Sequence, residues 1–158
     1  MKHEIRLVLN GEEQLVEVEA NQTLLQLLRD HLHVTSPKRS CEQGECGACT
    51  VILNGRAVNS CLVLAVTVNG KVVETVDGLD KEGSHPLQKH FQELAASQCG
   101  YCTPGMLMAA KALLDVNPDP TYEEVKEGLS GNMCRCTGYV KPVEAVLAAA
   151  HEMRDSTS

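Results

Sequence analysis

The sequence predicts an α+β fold, a mixed sheet holding one helix in the first half and a helical second half. Three observations carry this expectation. Asn-Gly pairs occur only early in the chain, at Asn10-Gly11, Asn54-Gly55 and Asn69-Gly70. Five of the six prolines, Pro86, Pro104, Pro118, Pro120 and Pro142, fall late. The eight cysteines divide four and four between the halves. The expected division is residues 1–77, a short polar connector at 78–83, and residues 84–158.

Each Asn-Gly pair suits a type I′ hairpin turn, where both central residues need positive φ. Ile5, Leu7 and Leu9 alternate before the first pair, and Val16 and Val18 follow it. Val51 and Leu53 precede the second. Val72, Val73 and Val76 follow the third. Between the first two turns, Thr23 and Gln26 form a candidate capping box. Leu24, Leu25, Leu28 and Leu32 lie on one helical face behind it.

In the second half, Pro86, Pro104 and Pro142 each open a run of helix-forming residues, as proline does near a first helical turn. The stretch 104–116 is apolar nearly all round apart from Lys111 and Asp115, which predicts a buried helix. Pro118 and Pro120 separate it from a helix over 122–129, capped by Thr121 with Glu124. A last helix over about 141–154 carries Val143, Val146, Leu147 and Ala150 on one face. The tail from Arg154 to Ser158 is expected to fray.

Composition narrows the function. The chain has 158 residues, a net charge of −7 and 43% hydrophobic residues. That apolar content is too high for a disordered chain. No apolar run approaches the roughly 18 residues a membrane span needs. The N-terminus has no signal-peptide pattern, so a cytoplasmic location is expected. The acidic balance argues against a nucleic-acid partner, which normally meets a basic face. Aromatic residues make up only 3% of the chain, with no Trp and one Phe, Phe91. Small cores usually rely on them, so something else must compensate.

The cysteines are the chemistry-bearing feature. Cys41, Cys46 and Cys49 follow C-x4-C-x2-C spacing, and Cys61 comes after eleven intervening residues. This is the plant-type 2Fe–2S pattern. Three thiolates from one loop must wrap an inorganic core, and Gly44 and Gly47 permit the tight turn. The second set is Cys99 and Cys102, then Cys134 and Cys136. Each of these pairs precedes a predicted helix, whose N-terminal dipole would favour thiolates and an anionic centre.

Other readings of the cysteines exist. A disulfide scaffold would need an oxidising compartment and usually a higher cysteine fraction than the roughly 5% here. Structural zinc is a real rival for the second set, because CxxC pairs commonly serve four-cysteine zinc sites. Cys99-Gly100-Tyr101-Cys102 also looks like a thioredoxin-type pair, but no βαβ context surrounds it and Cys134 and Cys136 stay unexplained. The six histidines show no metal-ligand spacing, and no phosphate-binding glycine motif is present. Met106 and Met108 read as core filler.

Three motifs together resemble a known family: Cys-Glu-Gln-Gly-Glu-Cys-Gly-Ala-Cys-Thr at 41–50, Gln-Cys-Gly-Tyr-Cys-Thr-Pro-Gly at 98–105 and Gly-Asn-Met-Cys-Arg-Cys-Thr-Gly-Tyr at 131–139. The chain resembles the small iron–sulfur subunits of the molybdenum hydroxylases, the xanthine oxidase and carbon monoxide dehydrogenase family. The resemblance spans roughly residues 3–153 and accounts for every cysteine.

It implies a β-grasp ferredoxin-like domain followed by a four-helix domain, each with one 2Fe–2S cluster. The ligands would be Cys41, Cys46, Cys49 and Cys61 in the first and Cys99, Cys102, Cys134 and Cys136 in the second. It implies a large partner subunit with a molybdenum–pterin cofactor and a medium one with FAD, in a heterotrimer or a dimer of heterotrimers. Electrons would run from molybdenum through the helical-domain cluster and the ferredoxin-like cluster to flavin, with no substrate chemistry on this chain. Gln98 and Cys136 match positions that lie against the pterin.

One departure stands out. Ser40 occupies a position that is often Gly in the family, and a left-handed backbone there would cost about 1–2 kcal/mol. Lys38 and Arg39 beside it would be candidates for a subunit contact. The competing functions are a free, diffusing ferredoxin and a zinc-bound interaction module.

Overall fold

Asn10 and Gly11 both adopt positive φ, 50° and 85°, as a type I′ turn requires. They join strand β1 (Lys2–Leu9) to β2 (Glu12–Glu19) in antiparallel register, with Ile5 opposite Val16. Asn54 and Gly55, at 47° and 81°, do the same for β3 (Thr50–Leu53) and β4 (Arg56–Asn59). The computed structural model describes residues 1–79 and 83–157.

The third Asn-Gly pair departs from the hairpin expectation. Asn69 has φ −55° and ψ 128°, and Gly70 has φ 73°. The Lys71 N–H donates to the Val68 carbonyl at 3.0 Å, so this is a type II turn. A 3-10 turn over Ala65–Val68, not a strand, leads into it. The Asn69 side-chain oxygen accepts the Arg6 N–H at 2.9 Å and fixes the turn against β1. β5 (Val72–Glu74) follows and pairs parallel with β1 and antiparallel with β3. The sheet order is β2-β1-β5-β3-β4, mixed as expected. Val76 belongs to a 3-10 turn over Val76–Gly78 and packs on the helical core instead of extending the strand.

A short helix packs its leucines against the sheet. Thr23 and Gln26 form the capping box, but α1 (Leu24–Gln26) lasts one turn before widening into a π-turn over Leu27–His31. The Leu32 N–H reaches back five residues to the Leu27 carbonyl at 3.0 Å. Leu24, Leu25, Leu27 and Leu28 are all buried. Each contributes about 1.5–3 kcal/mol of burial, which is how aliphatic side chains stand in for missing aromatics.

The second half holds α2 (Pro86–Glu93), α3 (Thr103–Val116), α4 (Tyr122–Leu129) and α5 (Val140–Ser156) among the described residues. Thr121 and Glu124 cap α4 as expected. Phe91, Met106, Leu129 and Val146 share the core of this half. Met108 is buried as well. α3 packs on β3 and so joins the halves.

The expected fraying of the tail is corrected. α5 runs through Ser156, Arg154 pairs with Asp119, and the Ser156 and Thr157 hydroxyls donate to carbonyls one turn back. Ser158 lies outside the described residues, as do 80–82 of the connector. Asp77, just before the connector, is anchored, since its carboxylate accepts from the hydroxyls of Thr75 and Ser36.

Candidate metal centres

The loop from Cys41 to Cys49 turns through left-handed positions at Glu42, Gly44 and Gly47, with φ of 53°, 81° and 70°. Ser40 is not among the left-handed residues, so the departure at that position carries no such strain. Arg39 is held inside the chain, with Nη2 at 2.8 Å from Asp30 and Nε at 3.5 Å from Glu42. Lys38 Nζ donates to the Thr35 carbonyl. The basic pair therefore has partners within this chain, from the π-turn at Asp30 to Glu42 in the loop.

The backbone N–H groups of Gln43 and Cys46 both approach the Cys41 sulfur at 3.4 Å. These donors favour the thiolate and hold Cys41 down at about 6. Cys61 sits just past β4, beside Cys49. Burial, then the neighbouring Cys49, pushes it up to about 11. Ser60 ties the two strands of this site by donating from its hydroxyl to the Cys49 carbonyl at 2.7 Å.

In the second set, Cys102 occupies the N-cap of α3. Burial, then the adjacent Cys134, nonetheless pushes it up to about 12. At Cys134 burial is opposed by the Thr137 hydroxyl, which donates to its sulfur at 3.1 Å, and by backbone donors. The net direction is below its ordinary value. α5 starts only at Val140, with Tyr139 as a left-handed N-cap at φ 72°, so Cys136 is not at its first turn. Cys99, Cys136 and Gln98 are exposed.

The structure brings the sulfurs together in neighbouring pairs: Cys41 with Cys46, Cys49 with Cys61, and Cys102 with Cys134. All eight cysteines are free thiols. Among the described residues, no three His, Cys, Asp or Glu side chains converge as a site for a single metal ion. Paired thiolates suit a two-iron core, in which four cysteines serve two irons.

Sequence reasoning missed the bracing between the two loops. The Met133 N–H donates to the Cys46 carbonyl at 2.8 Å. Asn132 Nδ2 donates to the Gly47 carbonyl at 3.0 Å and to Thr50 Oγ1 at 3.2 Å. The Tyr101 hydroxyl donates to the Arg39 carbonyl. A Cβ on Gly47 would collide with the Gly131 carbonyl oxygen, and one on Gly105 with that of Gly47. These glycines let the two backbones touch. Asn132, Met133 and Tyr101 lie inside the quoted motifs, but their partners come from the other half of the chain.

Comparison with known proteins finds relatives along the whole chain. Residues 7–72 match the family described as a 2Fe-2S iron-sulfur cluster binding domain, and residues 75–147 match a 2Fe-2S binding domain. The chain is 52% identical over 143 residues to the nicotinate dehydrogenase small FeS subunit of Eubacterium barkeri, covering 90% of this chain and 91% of that one. It is 50% identical over 146 residues to the nicotine 6-hydroxylase small subunit of Paenarthrobacter nicotinovorans, covering 92% and 88%. A chain of quinoline 2-oxidoreductase from Pseudomonas putida 86 superposes with a TM-score of 0.93 at 41% identity, covering 99% of each. Aldehyde oxidoreductase from Desulfovibrio gigas superposes with a TM-score of 0.94 at 40% identity, covering 98% of this chain and 17% of that one.

Proposed function

The chain belongs to the small iron–sulfur subunits of the molybdenum hydroxylases, and from that premise we propose a fixed two-centre electron relay between partner subunits. Cys41, Cys46, Cys49 and Cys61 hold one 2Fe–2S cluster, and Cys99, Cys102, Cys134 and Cys136 hold the other. Residues 1–77 and 84–158 are the two cluster-bearing units, joined by 78–83. When bound, each cluster accepts and releases one electron.

This chain's residues hold the centres and set their surroundings. The Gln43 and Cys46 N–H groups favour negative charge at Cys41, while Cys49 and Cys61 give their centre a dry wall. The single observation that carries the relay is the Met133 to Cys46 hydrogen bond, which fastens one cysteine loop directly to the other.

The direction follows the family. The helical-half cluster faces a large subunit with molybdenum–pterin, through Gln98 and Cys136. Tyr101, Met133, Tyr139 and Val140 are exposed apolar residues from these same loops and the start of α5, which supports a docked partner there. The other cluster faces a medium FAD subunit, beside exposed Leu62 and Leu64. The assembly is a heterotrimer or a dimer of them. The names of the nicotinate, nicotine and quinoline relatives support an N-heterocycle as the substrate read by the large subunit. A cytoplasmic site of action fits a chain in which, among the described residues, no helix is long and apolar enough to cross a membrane.

Affinity purification of this chain from its native cells under anaerobic conditions tests the reading. Two larger chains carrying molybdenum–pterin and FAD should accompany it. Recovery of the chain alone would contradict the relay and favour a free carrier.

A further inference from the structure

We propose that the Thr137 hydroxyl raises the reduction potential of the helical-half cluster by donating to the Cys134 sulfur. The inference rests on the reading that Cys134 is a cluster ligand. Thr137 Oγ1 lies 3.1 Å from Cys134 Sγ. The same oxygen accepts the backbone N–H of Tyr139 at 3.2 Å. A hydroxyl has two lone pairs and a single proton. With the Tyr139 amide occupying one lone pair, the proton is left for the sulfur, and a ligating thiolate has none of its own to give.

The surrounding loop holds this geometry. Tyr139 is left-handed, and its hydroxyl accepts the Cys134 N–H at 2.8 Å. The segment from Cys134 to Tyr139 is therefore closed on itself, with Thr137 inside the closure. At the Cys134 sulfur the Thr137 hydroxyl adds to the backbone donors of Thr137 and Cys136. The Cys41 sulfur takes backbone N–H groups, which side-chain substitution does not remove. Thr137 is a donor that substitution can delete.

The direction follows from charge. When the cluster takes up one electron, negative charge on its sulfurs grows and a hydrogen bond to them strengthens. No bond forms or breaks, and the proton stays on Thr137 Oγ1. Thr137 is thus a positioning and tuning residue, and it touches neither substrate nor partner cofactor in this role.

The test compares Thr137→Val with Thr137→Ser in the assembled holoprotein. Iron content and visible spectra are measured first. Each paramagnetic signal is then followed through a mediated titration with a low-potential reductant. Thr137→Val should shift one of the two signals to more negative potential. The expected size is about a tenfold loss in that cluster's share of the electron, or about 59 mV for a one-electron couple. Thr137→Ser should keep the wild-type value.

Unchanged potentials in a fully loaded Thr137→Val protein would overturn the proposal, and so would an equal shift in Thr137→Ser. If Thr137→Val loses iron, Thr137→Ala takes its place. Iron loss from both apolar variants would make Thr137 a retention residue and overturn the tuning role. Absence of iron from the wild-type helical half would instead overturn the reading of Cys134 as a ligand.

Discussion

The Met133 N–H and the Cys46 carbonyl meet at 2.8 Å, joining residues 87 positions apart at the point where the two cysteine loops touch. Met133 directly precedes Cys134. Asn132, on the other side of Met133, is only 4% exposed and spends its amide on Gly47 and Thr50. A buried side chain thus reinforces the backbone contact, and the spacing of the two centres becomes a property of the fold.

Replacing Asn132 with Leu removes that latch at similar volume. Loss of a buried donor with two partners should cost about 1–3 kcal/mol. Urea unfolding should show a lower midpoint with an unchanged slope. A midpoint equal to wild type would mean that the latch contributes nothing to stability.

α2 ends in a Schellman arrangement. The Ala96 N–H donates to the Phe91 carbonyl at 2.9 Å and the Ala95 N–H to that of Gln92 at 3.2 Å. Ala95 is the left-handed residue, at φ 53°. That position suits glycine. Ala95→Gly removes a backbone cost of about 1–2 kcal/mol, offset by about 0.4–1 kcal/mol from the more flexible unfolded chain. Thermal unfolding should show a gain on the order of 0.5–1 kcal/mol, and a loss would contradict the geometry.

Glu152 ties α5 to α2. One of its oxygens lies 3.0 Å from Lys89 Nζ and 2.7 Å from His90 Nε2, with Glu93 also near the histidine. Lys89 and then His90 hold its carboxyl below the usual range. A depressed carboxylate stabilises the fold above its unfolded value, about 4.3. That contribution is lost as pH falls through the lower folded value. Glu152→Gln should therefore be less stable than wild type at neutral pH, and the gap should close on acidification. Denaturant midpoints across the acid range check this, and a gap that widens toward low pH would reverse the sign.

Local signals were legible wherever chemistry between neighbours decides the structure. Thr121 with Glu124 and Thr23 with Gln26 each satisfy their own helix start, so four residues suffice to read them. Asn10-Gly11 and Asn54-Gly55 form hairpins because strands flank both sides. Asn69-Gly70 carries the same two letters but follows a 3-10 turn, and the Arg6 backbone 63 residues away selects its geometry. The π-turn at Leu27–His31 was equally hidden, since burying adjacent leucines is decided by the sheet beneath them.

The turn through Cys41, Cys46 and Cys49 was readable from spacing, because the three share one short loop with Gly44 and Gly47. The cross-bracing by Asn132, Tyr101 and Met133 was not, because its partners come from the other half of the chain.

Iron quantification with paramagnetic resonance on anaerobically purified protein tests the central claim most directly. A chain with two 2Fe–2S clusters should hold about four irons and show two distinct signals on reduction. Zinc in place of iron in either half, or a single signal with about two irons, would contradict it.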